Sequence, residues 1–338
     1  MSEQPQDWVT ELLNPLPPVQ SAKTALRKAP WAEEFSCLLD SQPSPLVPQH
    51  FLEEARRHKF GRLIVNPHCL FSRDRSIEMP FLETSTDEMV WVLHPITNAA
   101  MPFWLGPRFE ELGSHLRSGE PAPPGLTRDE QLVLAMAGVL VEPDYIEECR
   151  RNYAAMVKRS AAQFRRRGYV ALKSLIHPFH LAALRRYYRQ LIRDGKIQLG
   201  DDQSPRRYGA HNERVARFFH HQLAAVVSDV LGEFTKPSYV YFASYQPGSR
   251  LGKHTDREQC EYSISLCLDF TPEPKKQTPW PLFLETRQGT VKIYQSLGDG
   301  LLYRGRELPH YRTHLPRNYT STSLFFHYVR RDFNGPLN

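Results

Sequence analysis

The stretch Tyr245-Gln246-Pro247-Gly248-Ser249-Arg250-Leu251-Gly252-Lys253-His254-Thr255-Asp256 decides the interpretation of this chain. A run rich in aromatic and β-branched residues leads into it and predicts a strand, and a Pro-Gly pair then predicts a turn. Beyond the turn, a histidine and a carboxylate stand two residues apart. In an extended segment, residues i and i+2 project to the same side. His254 and Asp256 are therefore candidate partners on one face of the chain.

Alternating apolar patterns around this stretch predict a β-rich domain preceded by helices. We expect short strands, separated by turn residues, which is typical of an antiparallel barrel or jelly roll. The expected strands are residues 168–172, 238–245, 262–270, 281–285, 290–295, 300–303, 310–315 and 321–329. Apolar residues at helical spacing predict helices over residues 129–137, 143–163, 178–193 and 213–231. Thr127 and Glu130 form a capping-box pair before the first of these.

A third candidate ligand, His310, begins the penultimate expected strand, after Gly298-Asp299-Gly300. A barrel can bring that strand beside His254 and Asp256. Two histidines and one carboxylate on one face of a metal are the ligand set of non-haem iron oxygenases, which leaves positions open for other ligands.

Three other histidines lie near this set or match part of its pattern. His314 lies at even spacing from His310 and is the alternative distal ligand. His327, inside the last apolar strand, is interpreted as a hydrogen-bonded core histidine. His211-Asn212-Glu213 is a competing match, but it stands at a helix entrance without a strand before it.

The combination of motifs resembles a known family, the prolyl 4-hydroxylase-like branch of the 2-oxoglutarate/iron(II) dioxygenases. The resemblance is carried by the stretch quoted first, by Tyr262-Ser263-Ile264-Ser265-Leu266-Cys267-Leu268-Asp269, by Gly298-Asp299-Gly300 with His310, and by Ser323-Leu324-Phe325-Phe326-His327-Tyr328-Val329. It covers residues from about 164 to 332. It implies an α+β fold, a double-stranded β-helix (jelly roll) with a helical layer. It also implies iron(II) held by His254, Asp256 and His310, with 2-oxoglutarate as cosubstrate and ascorbate as a candidate stimulant.

The resemblance further implies oxidative decarboxylation of 2-oxoglutarate by dioxygen, coupled to hydroxylation of a C–H bond. The far carboxylate of 2-oxoglutarate needs a buried cation, and arginine matches its geometry. The family usually places a basic residue on the last strand, but residues 321–329 contain none. Arg312 is the preferred substitute, since it projects to the same side as His310, and Arg317 is the alternative. Tyr239 or Tyr241 could donate a hydroxyl.

Candidate substrate-binding residues are Asn212, Glu213 and Arg214, which precede a helix expected at the barrel mouth, and Arg257, which follows Asp256. We expect hydroxylation of an amino-acid residue in a peptide or protein. A free amino acid or small secondary metabolite is the alternative substrate, and a non-catalytic β-barrel binding protein is the alternative of another class. Halogenation is disfavoured because a carboxylate occupies the halide position. Desaturation and cyclisation stay open.

The length of 338 residues predicts two domains. Residues 1–140 are expected to form a mostly helical domain with a small winged-helix-like or peptide-docking module, and residues 141–338 the dioxygenase domain. The net charge of +6 comes partly from arginine clusters, which are interpreted as solvated helix faces and not as a nucleic-acid surface.

The cellular location is predicted from apolar runs, targeting signals and cysteines. The sequence contains no apolar run of membrane-spanning length and no secretory signal at its start. The five cysteines contain no CxxC pair and predict reduced thiols in a cytoplasmic protein. The oligomeric state is not assigned.

Overall fold

The computed structural model describes residues 35–40, 43–71, 89–106, 109, 112–201 and 203–337. The chain divides into two compact units, Met1–Ser44 with Leu52–Ile146, and Pro45–Phe51 with Glu147–Asn338. The helices are α1 (Gln49–Arg57), α2 (Arg128–Met136), α3 (Tyr145–Arg167), α4 (Pro178–Arg193), α5 (Arg214–Gln222) and α6 (Ala224–Leu231). Among the described residues, no helix is both long and apolar enough to cross a membrane.

The strands follow the chain from the first unit into the second. Those of the first unit are β1 (Leu38–Leu39), β2 (Ile64–Val65), β3 (Cys69–Phe71), β4 (Met89–Leu93), β5 (Ala100–Leu105) and β6 (Leu140–Val141). Those of the second unit are β7 (Tyr169–Leu172), β8 (Gln198–Asp201), β9 (Ser204–His211), β10 (Thr235–Tyr245), β11 (Leu251–His254), β12 (Tyr262–Thr271), β13 (Leu282–Thr286), β14 (Gly289–Ile293), β15 (Gly300–Tyr303), β16 (His310–Arg312) and β17 (Thr320–Arg330).

The first unit contains a four-stranded sheet of order β1-β5-β4-β3 and a two-stranded sheet of β2 and β6. The described residues of this unit therefore do not form the mostly helical domain that the sequence predicts for residues 1–140. The physical reason is that β4 and β5 are short apolar runs rich in aromatic and β-branched residues, which pack as buried strands and lack a readable period. Residues 1–34 and 72–88, within the same predicted domain, lie outside the described residues.

The predicted helix over residues 129–137 is confirmed as α2, together with its capping box. The Thr127 hydroxyl oxygen accepts a hydrogen bond from the Glu130 backbone N–H at 3.3 Å. The Glu130 carboxylate accepts one from the Thr127 backbone N–H at 2.8 Å. A winged-helix-like or peptide-docking role for this region stays a prediction.

The second unit is built on two antiparallel sheets. A seven-stranded sheet has the order β7-β15-β12-β17-β10-β9-β8, and a four-stranded sheet has the order β11-β16-β13-β14. From β10 to β17 successive strands alternate between the two sheets, except that β13 and β14 form a hairpin within the four-stranded sheet, and this connectivity is that of a jelly roll. Side chains from both sheets share buried clusters, one of which joins Leu301 and Tyr303 to Leu282 and Leu284. The two sheets therefore pack face to face.

Helices cover the other face of the seven-stranded sheet. The Tyr188 ring on α4 stacks on Phe242 of β10 with centroids 4.2 Å apart. Strand β12 is consequently buried along nearly its whole length. The helix predicted over residues 178–193 is confirmed, whereas the one predicted over 213–231 is divided at Leu223 into α5 and α6.

Candidate metal centre

Strand pairing brings the three predicted ligands together. His254 ends β11 and lies directly opposite His310 of β16 in the antiparallel register. Asp256 follows two residues after His254, at the strand end. One ligand atom from each of the three residues lies within 4.8 Å of the other two. The Asp256 Oδ1 atom lies 3.6 Å from His254 Nε2 and 3.5 Å from His310 Nε2.

The hydrogen bonds of both imidazoles set their tautomers. The Nδ1 atom of His254 lies 2.9 Å from the Gly252 carbonyl oxygen, and that of His310 lies 3.0 Å from the Leu308 carbonyl oxygen. A carbonyl oxygen only accepts, so each Nδ1 carries the hydrogen. Each Nε2 then carries a lone pair on the side of Asp256, and that of His310 also lies 3.4 Å from the Tyr303 hydroxyl oxygen. This is the protonation state in which a histidine binds a metal through Nε2.

The Asp256 carboxylate is held so that its two oxygens have different surroundings. Oδ2 accepts a hydrogen bond of 2.7 Å from the Ser263 hydroxyl, while Oδ1 faces the imidazoles. Burial alone would raise the pKa of Asp256, but the neighbouring His310 imidazole and the hydrogen bond from the Ser263 hydroxyl lower it far below its usual value. The carboxylate is therefore anionic at neutral pH, as a metal ligand must be.

His327 completes a buried polar chain behind the carboxylate. It pairs with Ser263 in the register of β12 and β17, and its Nδ1 lies 2.9 Å from the Ser263 hydroxyl oxygen. That hydroxyl donates to Asp256, so it accepts from the Nδ1–H of His327. Burial lowers the pKa of His327 to about 4, which keeps the imidazole neutral. His327 thus orients the ligand Asp256 through Ser263.

A glycine makes room for this arrangement. The Gly305 carbonyl accepts a 2.9 Å hydrogen bond from the Asp256 backbone N–H. A Cβ atom on Gly305 would lie 2.1 Å from Asp256 Oδ2 and 2.7 Å from the Ser263 oxygen. Only glycine therefore fits here without moving the carboxylate.

A second group of potential ligands, Asp256, Cys260 and His327, shares the aspartate. It is less suited to a metal because the Ser263 hydroxyl already bridges Asp256 and His327. Burial also raises the pKa of Cys260 to about 12, so the thiol stays protonated. His314 is exposed and lies beyond the end of β16, outside both groups.

A cavity of about 400 Å³ adjoins the three ligands. Besides these ligands it is lined mainly by aromatic, imidazole and charged side chains. The lining includes Asp201, Gln203, Arg207, His211, Tyr239, Tyr241, Tyr245, Leu251, Thr255, Arg257, Tyr303, Phe325 and His327. The volume suits small-molecule binding sites.

Arg312, the preferred cation for 2-oxoglutarate, is buried two residues after His310. Its Nη1 donates to the Trp280 carbonyl oxygen at 2.6 Å, and its guanidinium lies 4.7 Å from the Trp280 ring centroid. Its Nε has no hydrogen-bond acceptor, and no ion pair involves it in the described part of the chain. Burial lowers its pKa. Arg312 does not line the cavity directly, but its register partner Leu251 does.

The other predicted cosubstrate residues have different surroundings. Arg317 is exposed and lines a separate surface depression with Arg206 and His314. Tyr239 and Tyr241 both line the cavity. The Tyr241 hydroxyl donates to Asp201 Oδ2 at 2.7 Å.

Arg207 on β9 was not predicted, although it lines the cavity. It forms a 2.6 Å ion pair with Asp201 and donates to the Tyr245 hydroxyl at 3.2 Å. The only signal in the sequence was the even spacing of Arg207 and His211, which places both on one face of the chain once β9 is recognised as a strand.

Of the four predicted substrate-binding residues, the structure brings only Arg257 to the cavity. Glu213 caps α5 and accepts hydrogen bonds from the hydroxyls of Tyr187 and Tyr188 at 2.8 and 2.6 Å. The Asn212 side chain accepts a hydrogen bond from the Val240 backbone N–H, and Arg214 is exposed outside the cavity lining.

No protein-family model and no curated protein matches the chain. Solved structures similar to it are 2-oxoglutarate/iron(II) oxygenases, prolyl-4-hydroxylase among them. A Pseudomonas putida prolyl-4-hydroxylase is 16% identical, covers 52% of this chain and 100% of its own, and gives a TM-score of 0.42. An oxidoreductase of the 2OG-Fe(II) oxygenase family from Burkholderia pseudomallei is 14% identical, with coverages of 53% and 92% and a TM-score of 0.42.

HygX from Streptomyces hygroscopicus, solved with nickel and 2-oxoglutarate bound, is 13% identical. Its coverages are 52% of this chain and 88% of its own, with a TM-score of 0.40. At TM-scores of 0.40 to 0.42 these likenesses carry no functional argument.

Proposed function

We propose that this chain is an iron(II)- and 2-oxoglutarate-dependent dioxygenase that hydroxylates an unactivated C–H bond. The observation that carries the proposal is the convergence of the Nε2 lone pairs of His254 and His310 with Asp256 Oδ1 beside a cavity. Two imidazoles and one carboxylate suit ferrous iron and leave one side of the ion open.

The residues divide into a metal set and a cosubstrate set. His254, Asp256 and His310 would hold the ion, with Ser263 and His327 fixing the carboxylate. Arg312 would hold the distal carboxylate of 2-oxoglutarate, because its buried charge lacks an anionic partner and its Nε lacks an acceptor. When bound, iron and 2-oxoglutarate supply the dioxygen activation that oxidises a C–H bond. The protein positions the substrate carbon and excludes water.

We propose an amino-acid residue in a peptide or protein as the substrate, with a free amino acid or small metabolite as the alternative. The cavity supports either choice, since it is wide enough for an amino-acid side chain and carries polar groups at its edge. The five cysteines are all free, which supports a reducing, cytoplasmic location.

Succinate release tests the proposal without knowledge of the substrate. The purified chain, supplied with iron(II), 2-oxoglutarate and oxygen, should form succinate slowly by uncoupled turnover. Asp256→Ala should abolish this release, whereas Glu258→Ala, an exposed carboxylate outside the cavity lining, should leave it unchanged. Equal release by Asp256→Ala would refute the metal assignment. No release from the wild type would favour a non-catalytic binding protein.

A further inference from the structure

Arg257 lies where the cavity meets solvent, and its charge is not paired. The residue is exposed and lines the cavity directly after the ligand Asp256. Its guanidinium makes one hydrogen bond within the described residues, in which Nη2 donates to the Tyr239 hydroxyl oxygen at 3.0 Å. No carboxylate of the described chain forms an ion pair with it. The remaining N–H groups are therefore available to a ligand.

The surroundings of Arg257 hold it in place. Its guanidinium carbon lies 5.2 Å from the centroid of the Tyr239 ring, within the range of a cation–π contact. Tyr239 is itself fixed, because its hydroxyl lies 3.1 Å from Cys260 Sγ and its ring stacks on His211 at 4.8 Å. An exposed arginine would ordinarily sample many rotamers, so this support lowers the entropy lost when it binds an anion.

When iron(II) and 2-oxoglutarate occupy the cavity, the positive charge of Arg257 has no negative charge to balance it. Arg207 is neutralised by Asp201. In the proposed holoenzyme, the two positive charges of iron(II) and the charge of Arg312 are balanced by Asp256 and the two carboxylates of 2-oxoglutarate. Burial and the charge of Arg257 lower the pKa of His211, so that imidazole contributes no charge at neutral pH. The charge of Arg257 then remains, and it favours an anionic substrate.

We infer that Arg257 binds a carboxylate of the substrate and that the substrate is a carboxylate-bearing, amino-acid-like molecule. The inference rests on the proposed function and narrows its substrate class. The planar guanidinium can form two parallel hydrogen bonds to a carboxylate. Because Arg257 and the ligand Asp256 line the same cavity, the bound carboxylate would share that cavity with the metal and orient a neighbouring C–H bond toward it. The carboxylate can belong to a free amino acid or to an acidic side chain in a peptide.

Matched pairs of probes test the inference. The iron-loaded enzyme would first be assayed with the proteinogenic L-amino acids, each compared with its α-carboxamide. It would then be assayed with short peptides that contain Asp or Glu, each compared with the same peptide containing Asn or Gln. The readouts are succinate release above the probe-free rate and gain of one oxygen atom by the probe. We expect stimulation by carboxylate probes and not by their amides. Stimulation by free amino acids would indicate a free amino acid as the substrate, and stimulation by the Asp or Glu peptides would indicate an acidic residue in a peptide.

Variants then assign the effect to Arg257. Arg257→Gln should raise KM for the stimulating probe roughly 10- to 100-fold, the scale of a lost charge-assisted hydrogen bond, with a smaller change in kcat. Arg257→Lys should give an intermediate KM, since it keeps the charge without the planar geometry. Arg287→Gln is the matched control, because Arg287 is an exposed arginine outside the cavity lining, and it should behave as the wild type.

Three results would overturn the inference while the proposed function stands. The first is equal stimulation by carboxylates and amides, and the second is an unchanged KM in Arg257→Gln. The third is that succinate is released without any probe, but no carboxylate probe increases its release. Absence of succinate under every condition would remove the proposed function and the inference with it.

Discussion

Replacing Gly305 by alanine is expected to weaken metal binding, although Gly305 is not a metal ligand and all three ligands are retained. The added Cβ would lie 2.1 Å from Asp256 Oδ2 and 2.8 Å from the Cys260 carbonyl oxygen. Carbon–oxygen contacts ordinarily begin near ~3.3 Å, so the carboxylate must move by roughly 1 Å. That movement breaks its 2.7 Å bond from Ser263 and turns Oδ1 away from the two imidazoles.

The expected loss is roughly 10- to 100-fold in metal affinity, the range for disrupting groups that orient a ligand, or about 1.4 to 2.8 kcal/mol. Overpacking should also lower the free energy of unfolding by about 1–3 kcal/mol. Titration with Co(II) or Mn(II), followed by absorbance or calorimetry, measures the Kd. Thermal unfolding then verifies that the variant is folded at the assay temperature.

Gly252→Ala is the matched control for this substitution. Gly252 also lies next to the site, on β11, but a Cβ there would meet nothing within 4 Å. Its carbonyl, which accepts from His254 Nδ1, is retained in alanine. If a folded Gly305→Ala protein bound metal as tightly as Gly252→Ala, the packing around Asp256 would not set the ligand geometry, and the reasoning would be refuted.

Three further perturbations probe the groups around the site and the stability of the fold. Ser263→Ala removes the hydroxyl that holds Asp256 and should raise the metal Kd roughly 10- to 100-fold; a Kd equal to that of the wild type in the same titration would contradict this. Arg312→Met should raise KM for 2-oxoglutarate about 10- to 100-fold with metal affinity unchanged, while Arg317→Gln, at an exposed position, should not; equal KM values in the two variants would contradict the assignment. Burial and then the nearby charge of Arg217 lower the pKa of His221 to about 4, below its value of about 6.5 in the unfolded chain. Above pH ~6.5 this histidine is neutral in both states; as the pH falls toward 4 the unfolded chain binds a proton that the folded chain does not, which lowers the free energy of unfolding by up to about 3 kcal/mol. Urea unfolding from pH 7 to 4 should show a shallower decline for His221→Gln, and an unchanged decline would count against the shift.

Local sequence patterns predicted much of the jelly roll. The strands at residues 262–270 and 321–329 contain alternating or continuous apolar runs bounded by turns, and they pair as β12 and β17. The i, i+2 spacing of His254 and Asp256 needed only an extended backbone to place both at one strand end. The location of His310 opposite His254 depended on strand order, and the sequence indicated His310 only as the preferred distal ligand, with His314 as the alternative.

Features that depend on tertiary register were not predictable in the same way. Arg207 lines the cavity only because β9 pairs with β10, and its sequence resembles a solvated basic cluster. Asn212 and Glu213 were predicted at the barrel mouth, but the structure uses them to start α5 and to fix β10. Such polar residues at a helix entrance serve the backbone as readily as a ligand. The sheet of the first unit was missed because its short apolar runs have no period to read.

The most direct measurement is the structure of the chain loaded anaerobically with iron(II), or with manganese(II) as a substitute. The account predicts one ion bonded to Nε2 of His254, Nε2 of His310 and Oδ1 of Asp256, with its remaining positions facing the cavity. An ion held elsewhere, for example between Cys260 and His327, or no bound ion at saturating metal, would contradict it.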